Sequence, residues 1–269
     1  MKATDKLFAG SIPALYDRYL GPMIFEPYAQ DLAHRMSGLR AGRVLEIAAG
    51  TGIVTRAMRR ALPDTVEIVA TDLNQPMLDY AAAIETLAGV TWRAADALVL
   101  PFGDASFDAV VCQFGVMFFP DRRAAYREAL RVLKPGGKFL FDVWDKIEEN
   151  HFTHIVTESV AALFPDDPPR FMERTPHGYF DKAVIEADLK AAGFGRIVIE
   201  TVAKTSRAAS HRDPAIGFCQ GTPMRNEIEQ RAPGRLDELT EVAAKALAAR
   251  FGQGPIEAKI QAIVFEAAR

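Results

Sequence analysis

The chain has 269 residues, 49% hydrophobic and 9% aromatic, which is enough to bury a full core. Its formal net charge of −3 and pI near 6.0, with scattered lysines and arginines, argue against a nucleic-acid partner. Two distant cysteines, Cys112 and Cys219, indicate neither a disulfide framework nor a zinc site. Because no segment has signal-peptide or membrane-span character, we expect a cytoplasmic protein without stable membrane insertion.

Residues 1–39 predict an N-terminal helical arm. Apolar residues recur at helical spacing over 12–20 and again over 25–39, and Gly21-Pro22 is expected to separate two helices. The aromatic residues of the arm, Tyr19 among them, either pack on the domain or fold across a ligand as part of a lid.

The stretch VLEIAAGTGIVT, from Val44 to Thr55, predicts a buried strand, a glycine turn and a helix. Gly50 and Gly52 permit positive φ and let a ligand approach bare backbone. The dinucleotide pattern G-x-G-x-x-G is absent because Thr55 stands where its third glycine belongs. The negative charge of Glu46 at the strand end would repel a pyrophosphate, so the turn suits a cationic or hydroxyl-rich ligand better.

Two acidic residues stand at the ends of the next two predicted strands. Asp72 ends VEIVATD, and right-handed βαβ geometry places it within reach of the ribose hydroxyls of a nucleoside above the first turn. A helix N-cap is the alternative role, although Asn74 is the better capping residue. Asp96 ends VTWRAAD, where it can accept a hydrogen bond from an adenine amino group.

The loop after the fourth predicted strand, FGVMFFP over 114–120, is unusually apolar. Phe114, Met117 and Phe118 in this loop either pack beneath a cap or line a substrate pocket, where their π faces contact a sulfonium cation. An amphipathic helix is expected to follow over 121–133, and KFLFDVW is expected to form a fifth strand.

The motifs VLEIAAGTG, Asp72, Asp96, LPFGDASFDAVVCQFGVMFFPD and RVLKPGG resemble the class I S-adenosylmethionine-dependent methyltransferases. The resemblance is strongest to the small-molecule branch, which is similar to ubiquinone/menaquinone-biosynthesis methyltransferases, and the motifs stand in the family's order. Together with the strand pattern it implies an α/β fold: a Rossmann-like, doubly wound, seven-stranded, mostly parallel sheet with a last antiparallel strand and helical cap insertions. It also implies S-adenosyl-L-methionine as the cofactor.

The resemblance assigns the cofactor contacts residue by residue. It places the glycine turn under the methionine moiety, Asp72 on the ribose hydroxyls, and Asp96 on adenine beside the Ala97 backbone. Ala48 replaces the family's usual first glycine, which should narrow the turn without abolishing binding. The implied cofactor-binding residues are Glu46, Ala48, Gly50, Gly52, Asp72, Leu73, Met77, Asp96, Ala97 and Gln113.

We expect a single methyltransferase domain over residues 1–269, in which a cofactor-binding core over 40–145 follows the arm. Residues 146–177 and 206–254 interrupt the strand pattern and are predicted to be substrate caps, because insertions of that size usually cover a binding site. The residues we assign to the substrate pocket are Phe114, Met117, Phe118, Tyr19 and Tyr179.

The sequence names no certain catalytic base. The five histidines fall in no metal-binding spacing, so no metal is expected. His177 is the one candidate base, and a surface or hydrogen-bonded loop histidine is the alternative. Methyl transfer from a sulfonium is an in-line displacement that depends mainly on alignment, and it needs a base only for a protonated nucleophile.

These predictions describe a methyltransferase acting on an O, N or C atom of a small, partly hydrophobic metabolite, with O- or N-methylation narrowly preferred. The expected partner is a small-molecule methyl acceptor, and a homodimer is left open.

Three rival functions remain. An NAD(P)-dependent oxidoreductase would need the third glycine and a Tyr-x-x-x-Lys proton donor or an equivalent. A non-catalytic nucleoside-binding module would bind cofactor without turnover. A nucleic-acid amino-methylating enzyme would show Asn/Asp-Pro-Pro-Tyr where this chain has Gln113-Phe114-Gly115-Val116.

Overall fold

A computed structural model describes residues 10–84 and 87–269. Its strands are β1 (Gly42–Ile47), β2 (Val66–Asp72), β3 (Val90–Ala94), β4 (Phe107–Gln113), β5 (Leu133–Trp144), β6 (Ile197–Ala208) and β7 (Ile256–Ala268). They form a seven-stranded sheet in the order β3-β2-β1-β4-β5-β7-β6. The sheet is mixed, mostly parallel with its last strands antiparallel, so the predicted Rossmann-like α/β fold is confirmed.

Helices connect these strands. The α-helices are α1 (Ile12–Leu15), α2 (Glu26–Arg35), α3 (Ile53–Ala61), α4 (Gln75–Ile84), α5 (Arg122–Val132), α6 (His151–Ala161), α7 (Phe171–Arg174), α8 (Lys182–Ala192), α9 (Arg212–Gln220), α10 (Met224–Arg231) and α11 (Leu236–Phe251). A π-helical segment spans Tyr16–Phe25, and short 3₁₀ turns span Val116–Phe118 and Ile147–Glu149. Across residues 10–84 and 87–269, no helix is both long enough and apolar enough to cross a bilayer.

The parallel strands reverse their order between β1 and β4. Leaving β1, the chain builds outward through β2 and β3, and then returns to place β4 on the other side of β1. Open α/β sheets bind ligands outside the carboxyl ends of the strands at such a reversal point. The topology therefore directs attention to the residues that follow β1 and β4.

The N-terminal arm differs from the two separate helices that we predicted. Helical elements follow one another directly from Ile12 to Arg35, and the π-helical segment carries the chain through Gly21 and Pro22. The wider turn lets the Glu26 N–H reach back five residues to the Gly21 carbonyl, so the proline does not end the helix.

The described chain divides into two compact units. The core unit contains residues 28–143, 179–202 and 262–269, and the helical unit contains residues 10–27, 144–178 and 203–261. In the core unit, the aromatic rings of Phe139, Phe141 and Phe265 are stacked and fully buried, so they form part of the hydrophobic core.

In the helical unit, α11 packs against α6 and α9. Between residues 210 and 254 the structure has three helices, α9, α10 and α11. Gly221-Thr222-Pro223 separates α9 from α10, and the Thr222 hydroxyl accepts a hydrogen bond from the Met224 N–H at 3.2 Å.

Candidate active site

The turn after β1 has left-handed backbone at three positions. The φ angles are +56° at Ala48, +55° at Gly50 and +79° at Gly52. A Cβ atom added to Gly50 would meet the Met77 Cε at 3.6 Å and no other described heavy atom within 4 Å. Apart from the Met77 methyl group, the space beside the Gly50 backbone is therefore open.

Gly52 makes its close approach to protein instead. A Cβ atom at this position would lie 2.5 Å from Trp92 Cη2 and 3.3 Å from Ala81 Cβ. The missing side chain lets the start of α3 pack against β3 and α4, which is the packing role that glycines have in such turns.

Ala48 occupies a backbone conformation that costs a non-glycine residue about 1–2 kcal/mol. Its methyl group faces Gly115 in the loop after β4. A Cβ atom at Gly115 would lie 2.6 Å from Ala48 Cβ and 2.6 Å from Cys112 Sγ. Position 115 therefore has no room for a side chain. Because glycine has none, the apolar loop can lie against the glycine turn. Cys112 is buried.

Asp72 ends β2 and fixes the turn. Its Oδ2 accepts a hydrogen bond from the Gly50 N–H at 2.8 Å, and its Oδ1 accepts one from the Asn74 N–H at 2.8 Å, just before α4. Burial raises the pKa of Asp72, and these N–H donors oppose that shift. The Asn74 side-chain amide also donates to Oδ1 at 3.3 Å, so Oδ2 is the oxygen with a lone pair left to accept from a hydroxyl group.

Glu46 lies in β1 and is 1% exposed. Its Oε2 accepts a hydrogen bond from the Thr55 hydroxyl at 2.5 Å. Burial raises the pKa of Glu46 to about 8; the charge of Asp72 acts in the same direction, whereas Arg56 and the Thr55 hydrogen bond lower it. At neutral pH the carboxyl group therefore holds a proton, and a nearby cation would favour its ionisation.

A third buried carboxyl group, Asp142, was missed by the sequence analysis. It is the register partner of Gln113 in the β4–β5 pair, and its Oδ1 accepts from the Phe114 N–H at 2.8 Å. The Gln113 amide lies close enough to lower the pKa of Asp142, yet burial raises it well above the usual value. Within the described chain, Oδ2 has no hydrogen bond of ordinary geometry. The sequence signal that could have identified Asp142 is a single acidic residue within the apolar run KFLFDVW.

The residues predicted to hold adenine lie beyond β2 and β3. The Ala95 N–H donates to the Asp72 carbonyl at 3.0 Å, which holds the loop after β3 beside β2. Asp96 is exposed, and its Oδ1 accepts from the Leu98 N–H. Ala97 is buried. Leu73 and Met77 differ sharply in burial, because Leu73 is 54% exposed and Met77 is buried beside Gly50.

The apolar loop after β4 is mostly buried. Phe114 and Met117 are buried, Phe118 is half-buried, and the ring of Tyr28 lies edge-on to Phe114 with centroids 5.5 Å apart. Phe114 has φ +48°, an uncommon conformation for a bulky residue. Packing is therefore one role of the loop, and Phe118 keeps some accessible surface.

The two tyrosines assigned to the substrate pocket belong to different units. Tyr179, in the core unit, is buried, and its hydroxyl donates to Asp188 Oδ2 at 2.9 Å while Arg122 lies 4.0 Å from its ring centroid. Protein contacts thus occupy Tyr179. Tyr19, in the helical unit, is half-buried beside Gly217 of α9.

His177 lies in the helical unit and is buried. Its Nδ1 is 2.7 Å from the Asp145 carbonyl oxygen, so Nδ1 carries the proton and donates it. Burial lowers the pKa of His177 to about 4. These contacts favour the hydrogen-bonded loop histidine over the catalytic base.

The core-unit residues fit a nucleoside cofactor that carries positive charge. Gly50 leaves its backbone open, Asp72 can accept from ribose hydroxyls, and Glu46 is a buried carboxyl group without a full ionic partner. Thr51 Oγ1, in the same turn, is buried without a hydrogen-bond partner among the described residues. Over residues 10–84 and 87–269, no cluster of three or more His, Cys, Asp or Glu side chains is placed so that it could hold a metal ion.

Comparison with known proteins agrees with this geometry. Residues 45–141 match a family model described as a methyltransferase domain. The ubiquinone/menaquinone biosynthesis C-methyltransferase UbiE of Pseudomonas aeruginosa is 33% identical over 176 residues, covering 60% of this chain and 69% of that protein. The enzyme of the same name from Escherichia coli is 30% identical over 172 residues, covering 59% and 68%.

A solved structure extends the comparison to the fold. Haemonchus contortus phosphoethanolamine N-methyltransferase 2, in complex with S-adenosyl-L-methionine, superposes with a TM-score of 0.58 at 18% identity. The superposition covers 96% of this chain and 56% of that one. The family match sets aside the oxidoreductase and the non-catalytic module, and S-adenosyl-L-methionine is the cofactor of this family. The chain belongs to the S-adenosylmethionine-dependent methyltransferases.

Proposed function

We propose that this enzyme methylates a small, partly hydrophobic metabolite, and that the acceptor atom is a carbon of an electron-rich ring. The observation that carries the proposal is the apolar loop over 114–119, which Gly115 brings against the glycine turn. An apolar wall at that place suits a flat acceptor better than a strongly charged one. The names of the two bacterial relatives support carbon as the acceptor atom, whereas the sequence alone narrowly favoured oxygen or nitrogen.

The cofactor contacts are part of the same proposal. Asp72 accepts from the ribose hydroxyls, Asp96 and the Ala97 backbone contact adenine, and Leu73 and Met77 lie on either side of its ring. The exposure of Leu73 and the burial of Met77 beside Gly50 support this arrangement. Glu46, Ala48, Gly50 and Gln113 surround the methionine end, with Gly52 packing behind the turn.

S-adenosylmethionine supplies an activated methyl group on its sulfonium, so the chain itself has mainly to align the acceptor and exclude water. The loop over 114–119 is suited to both tasks because its side chains are apolar and largely buried. Asp142 holds the start of that loop through the Phe114 N–H. We assign no catalytic base.

We further propose that residues 146–177 and 206–254 act as substrate caps of a single methyltransferase domain. Their lengths, and their position after the cofactor-binding core in the sequence, support this role. Deleting either segment should abolish acceptor use and leave cofactor binding intact, and an equal loss of both would contradict the proposal.

The first experiment is calorimetric titration with S-adenosylmethionine, its demethylated product and NADH in parallel. We expect micromolar binding of the first two and none of NADH. Binding of NADH alone would contradict the proposal.

An acceptor screen then uses cofactor labelled with ¹³C in its methyl group. Hydroquinone-like rings, catechols and amines serve as candidate acceptors, and NMR of the product identifies the methylated atom. A new carbon-bound methyl on a ring supports the proposal. If the labelled methyl group is found only on oxygen or nitrogen, the acceptor atom is one of these and the proposal of carbon is wrong.

A further inference from the structure

Thr55 is the donor that contacts the Glu46 carboxyl group. The two side chains come from different elements, α3 and β1, and both are buried, with no accessible surface left on Thr55. The hydroxyl lies 2.5 Å from Glu46 Oε2. Among the described residues, no other hydrogen bond to this carboxyl group is present.

The ordinary structural role of a threonine within a helix does not explain this contact. Thr55 lies in the first turn of α3, and the carbonyl four residues earlier, that of Thr51, comes before the helix begins. The Arg56 side chain instead donates to the Thr51 carbonyl at 2.7 Å. The Thr55 hydroxyl is therefore directed to Glu46, away from its own helix.

The charges around Glu46 leave its ionised form without full compensation. Asp72 at the end of β2 opposes ionisation, and Arg56 on α3 favours it. On the β4 side the register partner Val111 is apolar, and the neighbouring thiol of Cys112 is buried with a raised pKa. A cation that binds above the turn would provide the missing compensation.

We propose that Thr55 is a positioning residue, whose hydroxyl holds the Glu46 carboxyl group for the cationic methionine end of the cofactor, so that cofactor binding ionises Glu46 and releases its proton. The inference rests on the proposed cofactor contacts. No covalent bond changes: the Glu46 proton passes to solvent, and the Thr55 hydroxyl keeps its own proton while it donates to the carboxylate.

The test is calorimetric titration of S-adenosylmethionine in phosphate and in Tris at the same pH. These buffers differ in ionisation enthalpy, so the difference in heat gives the number of protons released. For the unmodified chain we expect release of roughly one proton per cofactor at pH 7 and a fall towards zero above about pH 9. Glu46→Gln should bind with little or no release.

Two substitutions then isolate the Thr55 hydroxyl. Thr55→Val removes it at nearly constant volume, and we expect roughly tenfold weaker binding of S-adenosylmethionine with a changed pH profile. Thr55→Ser keeps the hydroxyl and should restore both properties. Adenosine lacks the cationic methionine end, so its affinity should be the same in all three proteins.

Thr240→Val is the matched control, because Thr240 is a buried helical threonine in the helical unit and its hydroxyl bonds the Leu236 carbonyl. It should leave proton release unchanged.

Unchanged affinity and proton release in Thr55→Val would overturn the inference, as would cofactor binding by the unmodified chain without proton release. Failure of the unmodified chain to bind S-adenosylmethionine would instead count against the proposed function. If Thr55→Val does not fold, the Glu46→Gln titration still decides whether the released proton comes from Glu46.

Discussion

Two buried glutamates, Glu46 in the core unit and Glu227 in the helical unit, are almost equally hidden from solvent and differ in their partners. Glu46 is 1% exposed and Glu227 is 2% exposed. Glu227 Oε2 accepts from the backbone N–H groups of Arg170 and Phe171 at 2.9 and 3.0 Å. Its Oε1 lies 3.0 Å from the Arg174 guanidinium.

The difference lies in how the charge of each buried carboxyl group is compensated. Two N–H groups at the start of α7 and the Arg174 guanidinium compensate the charge of Glu227, so this carboxylate stabilises the fold. Glu46 has one hydroxyl donor within the described residues, and burial raises its pKa to about 8. A carboxyl group left in this state is adapted to a ligand that brings its own positive charge.

The largest expected effect is the pH dependence of stability that Glu46 confers. In the folded state the pKa of Glu46 is about 8, above its ordinary value of 4.5, so between these pH values the folded state holds a proton that the unfolded state has lost. The stabilisation is present below about pH 4.5 and is lost as pH rises through 8. Urea unfolding should therefore show Glu46→Gln gaining a few kcal/mol over the unmodified chain between pH 5 and 9. A constant difference across that range would contradict the assignment.

The second prediction concerns Glu227→Gln, which should lower stability by about 1.5–3 kcal/mol at pH 7 because three donors lose a charged acceptor. Urea unfolding in the same buffer provides the measurement. Glu46→Gln is the control, and at pH 7 it should be no less stable than the unmodified chain. Equal losses in the two variants would remove the distinction between the two glutamates.

The third prediction concerns Asp72→Ala, which should weaken S-adenosylmethionine binding by roughly 1–3 kcal/mol. The substitution removes the carboxylate that we propose as the acceptor for the ribose, and it also leaves the Gly50 N–H without its partner. Asp72→Asn keeps an acceptor oxygen and should lose less. Calorimetric affinities would decide, and unchanged binding in Asp72→Ala would show that the acid has only a structural role.

The smallest effect is expected for Ala48→Gly, which should stabilise the fold by about 1 kcal/mol by relieving the left-handed backbone. Thermal unfolding provides the measurement. Gly50→Ala is the matched opposite, since it places a methyl group at φ +55°, and it should destabilise by a similar amount. A loss of stability in Ala48→Gly would show that packing of the Ala48 methyl outweighs the strain.

The sheet and the glycine turn were predictable because their signals are local. Apolar runs, strand-end acids and the Gly50 turn each follow from a few adjacent residues, and the predicted sheet is confirmed. The π-helical passage through Gly21 and Pro22 was not predictable, because a proline ordinarily ends a helix and its backbone accommodation leaves no sequence mark.

The motif residues of the candidate site could be picked out from the sequence, whereas the partners of those residues could not. Thr55 entered the sequence analysis as a missing glycine, since its contact with Glu46 depends on how α3 packs on β1. Asp142 was overlooked because a single acid in an apolar strand does not reveal whether it is paired. Both omissions concern contacts between elements that are separated in the sequence.

The contact of Ala48 with Gly115 has a consequence for anyone who seeks to change the acceptor of this enzyme. The Ala48 methyl group and the Cys112 sulfur fill the space where a side chain at 115 would begin. A loop grafted from a relative with a larger residue at that position would clash with the glycine turn after β1. Libraries for directed evolution should therefore randomise positions 48, 112 and 115 together, because single-site libraries would discard combinations that fit only as a set.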